Sequence, residues 1–143
     1  MSARLQNSLG TLIDLRTRDL EKCQAELAAR RSLCTRVEKN IERLGQLMEG
    51  VSTDASVSTA LAINTSAYKQ SLLELLDAQR RELVLRQAEA AQAQVAVTDA
   101  ARQHEVLSQL LQQTRARALL AQSRQAQKVQ DDLATQVWMR KQA

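Results

Sequence analysis

From Ile13 onward, apolar side chains recur at alternating steps of three and four residues: Ile13, Arg16, Leu20, Cys23, Leu27, Arg30, Cys34, Val37, Ile41, Leu44, Met48 and Val51. Ten of these twelve positions are apolar, and their mean spacing of about 3.5 marks a helix with one narrow buried seam. Leu5, Leu9 and Leu12 are expected to join it through one extra four-residue step, which locally unwinds a supercoil. The same periodicity returns at Leu72, Leu76, Gln79, Leu83, Arg86, Ala90, Ala93, Val97, Ala100, His104, Leu107 and Leu111. The spacing predicts one helix over about 3–51 and a second over about 66–143, its start falling somewhere between Ser58 and Ser66.

Between the two seams the pattern stops. Residues 52–66 carry nine Ser, Thr, Asp and Asn side chains, which compete with the helical backbone for hydrogen bonds and favour turns. Gly50 stands just before them, where helix-ending glycine is common. A hinge is therefore expected over about 52–65. One turn between two matching seams predicts an all-α fold in a single domain: a long two-helix antiparallel coiled-coil hairpin. Folding about residue 58 pairs Leu44 with Leu72, Cys34 with Leu83, Cys23 with Ala93 and Leu20 with Val97. Ala88, Ala90, Ala91, Ala93, Ala96, Ala100 and Ala101 should let the helices approach closely. Arg30 and Arg86 come out opposite each other, so both must turn outward to Glu26, Glu82 or Glu89.

The same pairing brings Met1 to about residue 115. Residues 116–143 then form a C-terminal helical overhang of about 40 Å, with an apolar stripe of Leu119, Ala126, Val129, Leu133 and Val137, and Trp138 beside it. A lone helix with an uncovered apolar face is marginal in water and calls for a partner.

Composition agrees with a coiled coil rather than a globular core: there is one Tyr, one Trp, no Phe and no Pro. The apolar runs are far shorter than the roughly 20 residues a membrane span needs. The first residues lack the apolar stretch of a signal peptide, so a cytoplasmic location is expected. Net charge is +4, yet residues 1–114 hold 14 Lys and Arg against 14 Asp and Glu. The surplus lies in residues 115–143, as Arg115, Arg117, Arg124, Lys128, Arg140 and Lys141 against Asp131 and Asp132.

Little in the chain suggests chemistry. Cys23 and Cys34 stand eleven residues apart, about 16 Å along one helix, too far for a disulfide; they are expected to act as small buried hydrophobes. The one histidine, His104, falls at a seam position opposite Ile13 and is expected to be hydrogen-bonded there. No nucleophile–base pair, metal-ligand spacing or glycine-rich phosphate loop is present, so no enzyme activity, metal or cofactor is expected. Arg30-Arg31 and Arg80-Arg81 have Glu nearby. Asp131 and Asp132 interrupt the basic C-terminal segment, where only Trp138 could stack, so no nucleic-acid binding is expected. Leu44, Tyr68 and Leu72 read first as hinge-end seam packing, with partner contact as the functional alternative.

Several stretches together resemble the FliJ family. Gly10-Thr11-Leu12-Ile13-Asp14-Leu15, followed by Arg30-Arg31 and Cys34, is similar to the family's first helix. Ile63-Asn64, Tyr68 and Leu72 resemble its aromatic-then-Leu segment after the hinge. Gln127-Lys128, Asp131-Asp132, Ala134 and Met139-Arg140-Lys141 resemble its terminal block. The chain departs from the pattern near the end of the first helix, where Leu47 and Val51 stand in place of aromatics. The resemblance implies a soluble, stalk-like component of the flagellar type III protein export apparatus. Its terminal end would insert into the ring of the export ATPase FliI and promote ring assembly and activity. The family would also contact the export gate protein FlhA and handle the substrate chaperones FlgN and FliT, at the cytoplasmic face of the inner membrane. Carried onto this chain, the ATPase contact falls on Leu133, Val137, Trp138, Met139, Arg140 and Lys141, and the gate contact on Leu44, Tyr68 and Leu72. The alternatives are the equivalent stalk of an injectisome, a basic helical nucleic-acid binder, and a self-assembling coiled-coil scaffold.

Overall fold

The computed structural model describes residues 2–51 and 59–143. Two α-helices make up nearly all of these residues: α1, Ser2–Gly50, and α2, Thr59–Gln142. No strand occurs among the described residues, and the fold is the all-α antiparallel two-helix hairpin that the spacing predicts. The helices contribute to two compact units, one formed by Met1–Leu20 with Ala100–Ala143 and the other by Glu21–Asp99.

All twelve seam positions from Ile13 to Val51 and all twelve from Leu72 to Leu111 are buried or half-buried. In the unit Glu21–Asp99, Leu44, Leu72 and Leu76 form a buried cluster with Ile41, Met48 and Val51 packed against it. Leu27, Val37 and Ala93 are buried further along the same unit. In the other unit the buried residues are Leu9, Ala100 and Leu111. Both thiols are half-buried and free, in keeping with seam positions, though less enclosed than expected.

The start of α2 falls within the expected range of Ser58 to Ser66, but at its early end, which corrects the expected hinge of 52–65. Residues 52–58 lie outside the described residues, but 59–65 are helical. Ala60, Leu61, Ala62 and Ile63 supply helix-compatible side chains there. The Thr65 hydroxyl donates back to the Leu61 carbonyl at 2.8 Å, so it bonds within the helix instead of breaking it. α1 ends at Gly50, as the sequence suggests, but without a left-handed glycine; Val51 N–H donates to the Met48 carbonyl at 3.3 Å.

The pairing register is a second correction. In the unit Glu21–Asp99, Arg30 donates to Glu89 Oε2 at 2.9 Å, a pair whose numbers add to 119. In the other unit, Arg16 donates to Gln103 at 2.7 Å and His104 Nε2 meets Thr17 Oγ1 at 3.0 Å, adding to 119 and 121. Facing numbers therefore add to about 120 rather than 116, about one helical turn further on. This register sets seam against seam throughout. Leu44 faces Leu76, Leu27 faces Ala93 and Leu9 faces Leu111, whereas the expected pairs Cys34–Leu83, Cys23–Ala93 and Leu20–Val97 fall out of step.

Arg30 and Arg86 consequently do not oppose each other. Arg30 falls opposite Ala90 and Arg86 opposite Cys34, each a small residue that leaves room for the guanidinium to turn aside. Arg30 pairs with Glu26 and Glu89, both at 2.9 Å. Arg86 pairs with Glu82 at 2.8 Å and with the same Glu89 at 3.3 Å. The hydrogen bond Arg86 donates to Glu82, then the Glu82 charge, then Glu89, push the Arg86 pKa above its ordinary value. A raised arginine pKa favours the folded chain below the residue's ordinary range and is lost only in strong alkali, so this pairing is fully present at neutral pH.

Two other expectations change. Leu5 and Leu12 are exposed while Leu9 is buried, so the N-terminal turns present Gln6, Leu9 and Ile13 to the seam. Of the seven alanines, Ala93 and Ala100 are buried and Ala90 and Ala101 half-buried, whereas Ala88, Ala91 and Ala96 face solvent.

Candidate partner-binding surfaces

The most open stretch of α2 lies at its C-terminal end. Ala118 is the last half-buried residue, and every residue from Leu119 to Ala143 is exposed. The shift of the register accounts for the boundary falling three residues later than expected. Leu133, Val137, Trp138 and Met139 are all more than half exposed, Trp138 at 59%. Arg140 and Lys141 occupy the last turn, where cations also complement the negative end of the helix dipole. No ion pair involves Arg124, Lys128, Asp131, Asp132, Arg140 or Lys141 among the described residues. An uncovered apolar stripe with free charges beside it is uncommon on a surface that makes no contacts.

Leu119 and Leu120 extend this apolar surface. Leu119 also lines a groove of about 670 Å³ with Ala3, Gln6, Arg115 and Ala118. The sequence stripe included Leu119 but missed Leu120, which stands one residue off that stripe.

The hinge-end residues divide. Leu44 and Leu72 are only 9% and 6% exposed, inside the cluster with Leu76, so they pack the hairpin. Tyr68 is 49% exposed and borders a groove of about 560 Å³ with Leu47, Gly50 and Val51. Leu47 and Leu75 are similarly exposed. The sequence signal for both was an apolar residue standing off the heptad.

His104 takes the hydrogen-bonded seam place expected of it, with Thr17 rather than Ile13 as its neighbour. Among the described residues, no group of three or more His, Cys, Asp and Glu side chains could hold a metal ion, and no helix is long and apolar enough to cross a membrane.

A hairpin with a seam filled by its own side chains, and with apolar stripes left on its outer faces, defines a two-helix coiled-coil protein. The family model described as Flagellar FliJ protein matches residues 5–143, and the chain belongs to that family, as a component of the flagellar export apparatus. Neither a curated protein nor a solved structure matches the chain.

Proposed function

We propose that this protein binds the ring of the flagellar export ATPase through residues 119–143 and promotes the ring's assembly and activity. The observation that carries the reading is the uninterrupted exposure of this helical segment, with Leu133, Val137, Trp138 and Met139 uncovered. Burying such side chains is worth about 1.5–3 kcal/mol each, and a buried Trp often dominates an interface. A ring lumen can cover a single helix on all sides, which a flat partner surface cannot.

At the hinge end, Tyr68 contacts the membrane export gate, while Leu44 and Leu72 hold that end in shape from within. Family membership supports, as part of this reading, contacts with FliI, FlhA, FlgN and FliT and a peripheral place at the cytoplasmic face of the inner membrane. The chain acts by contact and not by catalysis.

The experiment is ATPase activity of the partner against concentration of this protein. Leu133→Ala with Trp138→Ala should abolish stimulation while helicity and melting stay unchanged, because neither side chain packs within the hairpin. A chain ending at residue 118 that still stimulates fully shows that the working end lies elsewhere.

A further inference from the structure

One face of α1 in the unit Glu21–Asp99 is cationic and carries no ion pair among the described residues. Arg36, Lys39 and Arg43 are exposed and, at spacings of three and four, lie on one side of the helix over about 10 Å. Arg16, Arg30, Arg81 and Arg86 each reach a carboxylate. Among the described residues these three reach none, although Glu38 and Glu42 are on the same turns. Rotation of about 100° per residue carries Glu38 about 130° and Glu42 about 90° around the axis from the centre of the cationic face.

The three cations line a groove of about 370 Å³ with Ser32, Thr35 and Asn40. Asn40 and Arg43 also border a second groove, of about 210 Å³, with Leu75 and Gln79. Arg43 borders the groove of Leu47 and Tyr68 as well. A basic strip thus runs into an apolar patch of Leu47, Tyr68 and Leu75, each about half exposed.

We propose that the Arg36–Lys39–Arg43 face, continued by this apolar patch, is a docking surface for an acidic amphipathic helix of a protein partner. A partner helix bearing carboxylates at the same three- and four-residue spacing matches the cations in both interval and sign. Apolar residues further along its face then meet Leu47, Tyr68 and Leu75. The cations hasten and orient encounter, and the apolar end sets residence time. A polynucleotide fits less well, because the strip runs into the aliphatic Leu47 and Leu75 and Tyr68 is the one aromatic at the site on which a base could stack. The inference shares Tyr68 with the gate contact proposed above and deepens that half of the reading by giving the partner's chemistry.

The test uses the full chain and a synthetic helical peptide carrying three Glu at that spacing followed by Leu on the same face. Fluorescence anisotropy is read at low and high salt. Three exposed ion pairs at about 0.2–1 kcal/mol each correspond to roughly tenfold in affinity. The Glu peptide should therefore bind about tenfold tighter than its Lys-for-Glu counterpart or a scrambled sequence, with the gap narrowing in high salt. R36E/K39E/R43E should reverse the preference with melting unchanged, and R36Q/K39Q/R43Q should erase it without introducing repulsion. Equal binding of the scrambled peptide, or an unchanged preference in the glutamine variant, overturns the proposal. Tighter binding of an oligothymidylate overturns it in favour of nucleic acid. Tyr68→Ala should weaken binding of the export gate protein, a different variant and a different ligand, so either reading can fail without the other.

Discussion

Leu72 and Trp138 illustrate how differently two large apolar residues serve one chain. Leu72 is 6% exposed among Leu44 and Leu76, and Leu72→Ala should cost about 2–4 kcal/mol through the lost side chain and the cavity left behind; thermal or urea unfolding measures it. Trp138→Ala should leave the same unfolding curve in place and act only on partner binding. Gly45 offers the opposite experiment. It sits inside α1, and a Cβ built on it meets nothing within 4 Å. Gly45→Ala should therefore stabilise the fold by up to about 1 kcal/mol, the difference in helix propensity. A loss of stability on that substitution means that the backbone at Gly45 is doing something other than propagating a helix.

Helix pairing was legible in the sequence in one respect and not in another. Every seam position from Ile13 to Val51 and from Leu72 to Leu111 was readable, because burial follows the 3.5-residue period directly. Register was not, because a heptad repeat maps onto itself when one helix slides by seven residues. Leu76 can face Leu44, as observed, or Val37 one heptad away, with nearly the same apolar match. The start of α2 was legible only as a range, since Thr59 and Thr65 count as turn formers in composition yet sit in helix. Polar seam residues break the degeneracy. In the observed register Arg30 meets Ala90 and Arg86 meets Cys34; a slip of one heptad sets Arg30 against Leu83 and Arg86 against Leu27. Half-exposed ion pairs add little stability, but a polar seam residue can specify register. Arg30→Leu with Arg86→Leu should keep or raise the melting temperature while loosening the register. In a background with Cys34 replaced by Ala, the native Cys23 should cross-link to Val97→Cys alone when both arginines are present. With both replaced it should cross-link to Ala90→Cys as well. A single unchanged cross-link in the double variant would return the choice of register to the apolar residues.

At the level of the whole chain, stability and the proposed partner binding draw on separate residues. Removing residues 119–143 takes away no buried side chain, so the remaining chain should unfold at nearly the same denaturant concentration. Reversing charge at Arg140 and Lys141 should slow association with the ATPase and weaken its salt dependence, leaving dissociation nearly unchanged; stopped-flow binding at two salt concentrations reads both. The exposure of 119–143 also has a bearing on turnover. Helix without tertiary cover opens locally at small free-energy cost, and a protease cuts what opens. Arg124, Lys128, Arg140 and Lys141 stand in that helix, so trypsin should clip there first and leave the paired region as the surviving fragment. A bound partner would shield the same bonds. Copies that fail to find one would then be the first destroyed, and the cell would hold this protein in proportion to the machine it serves.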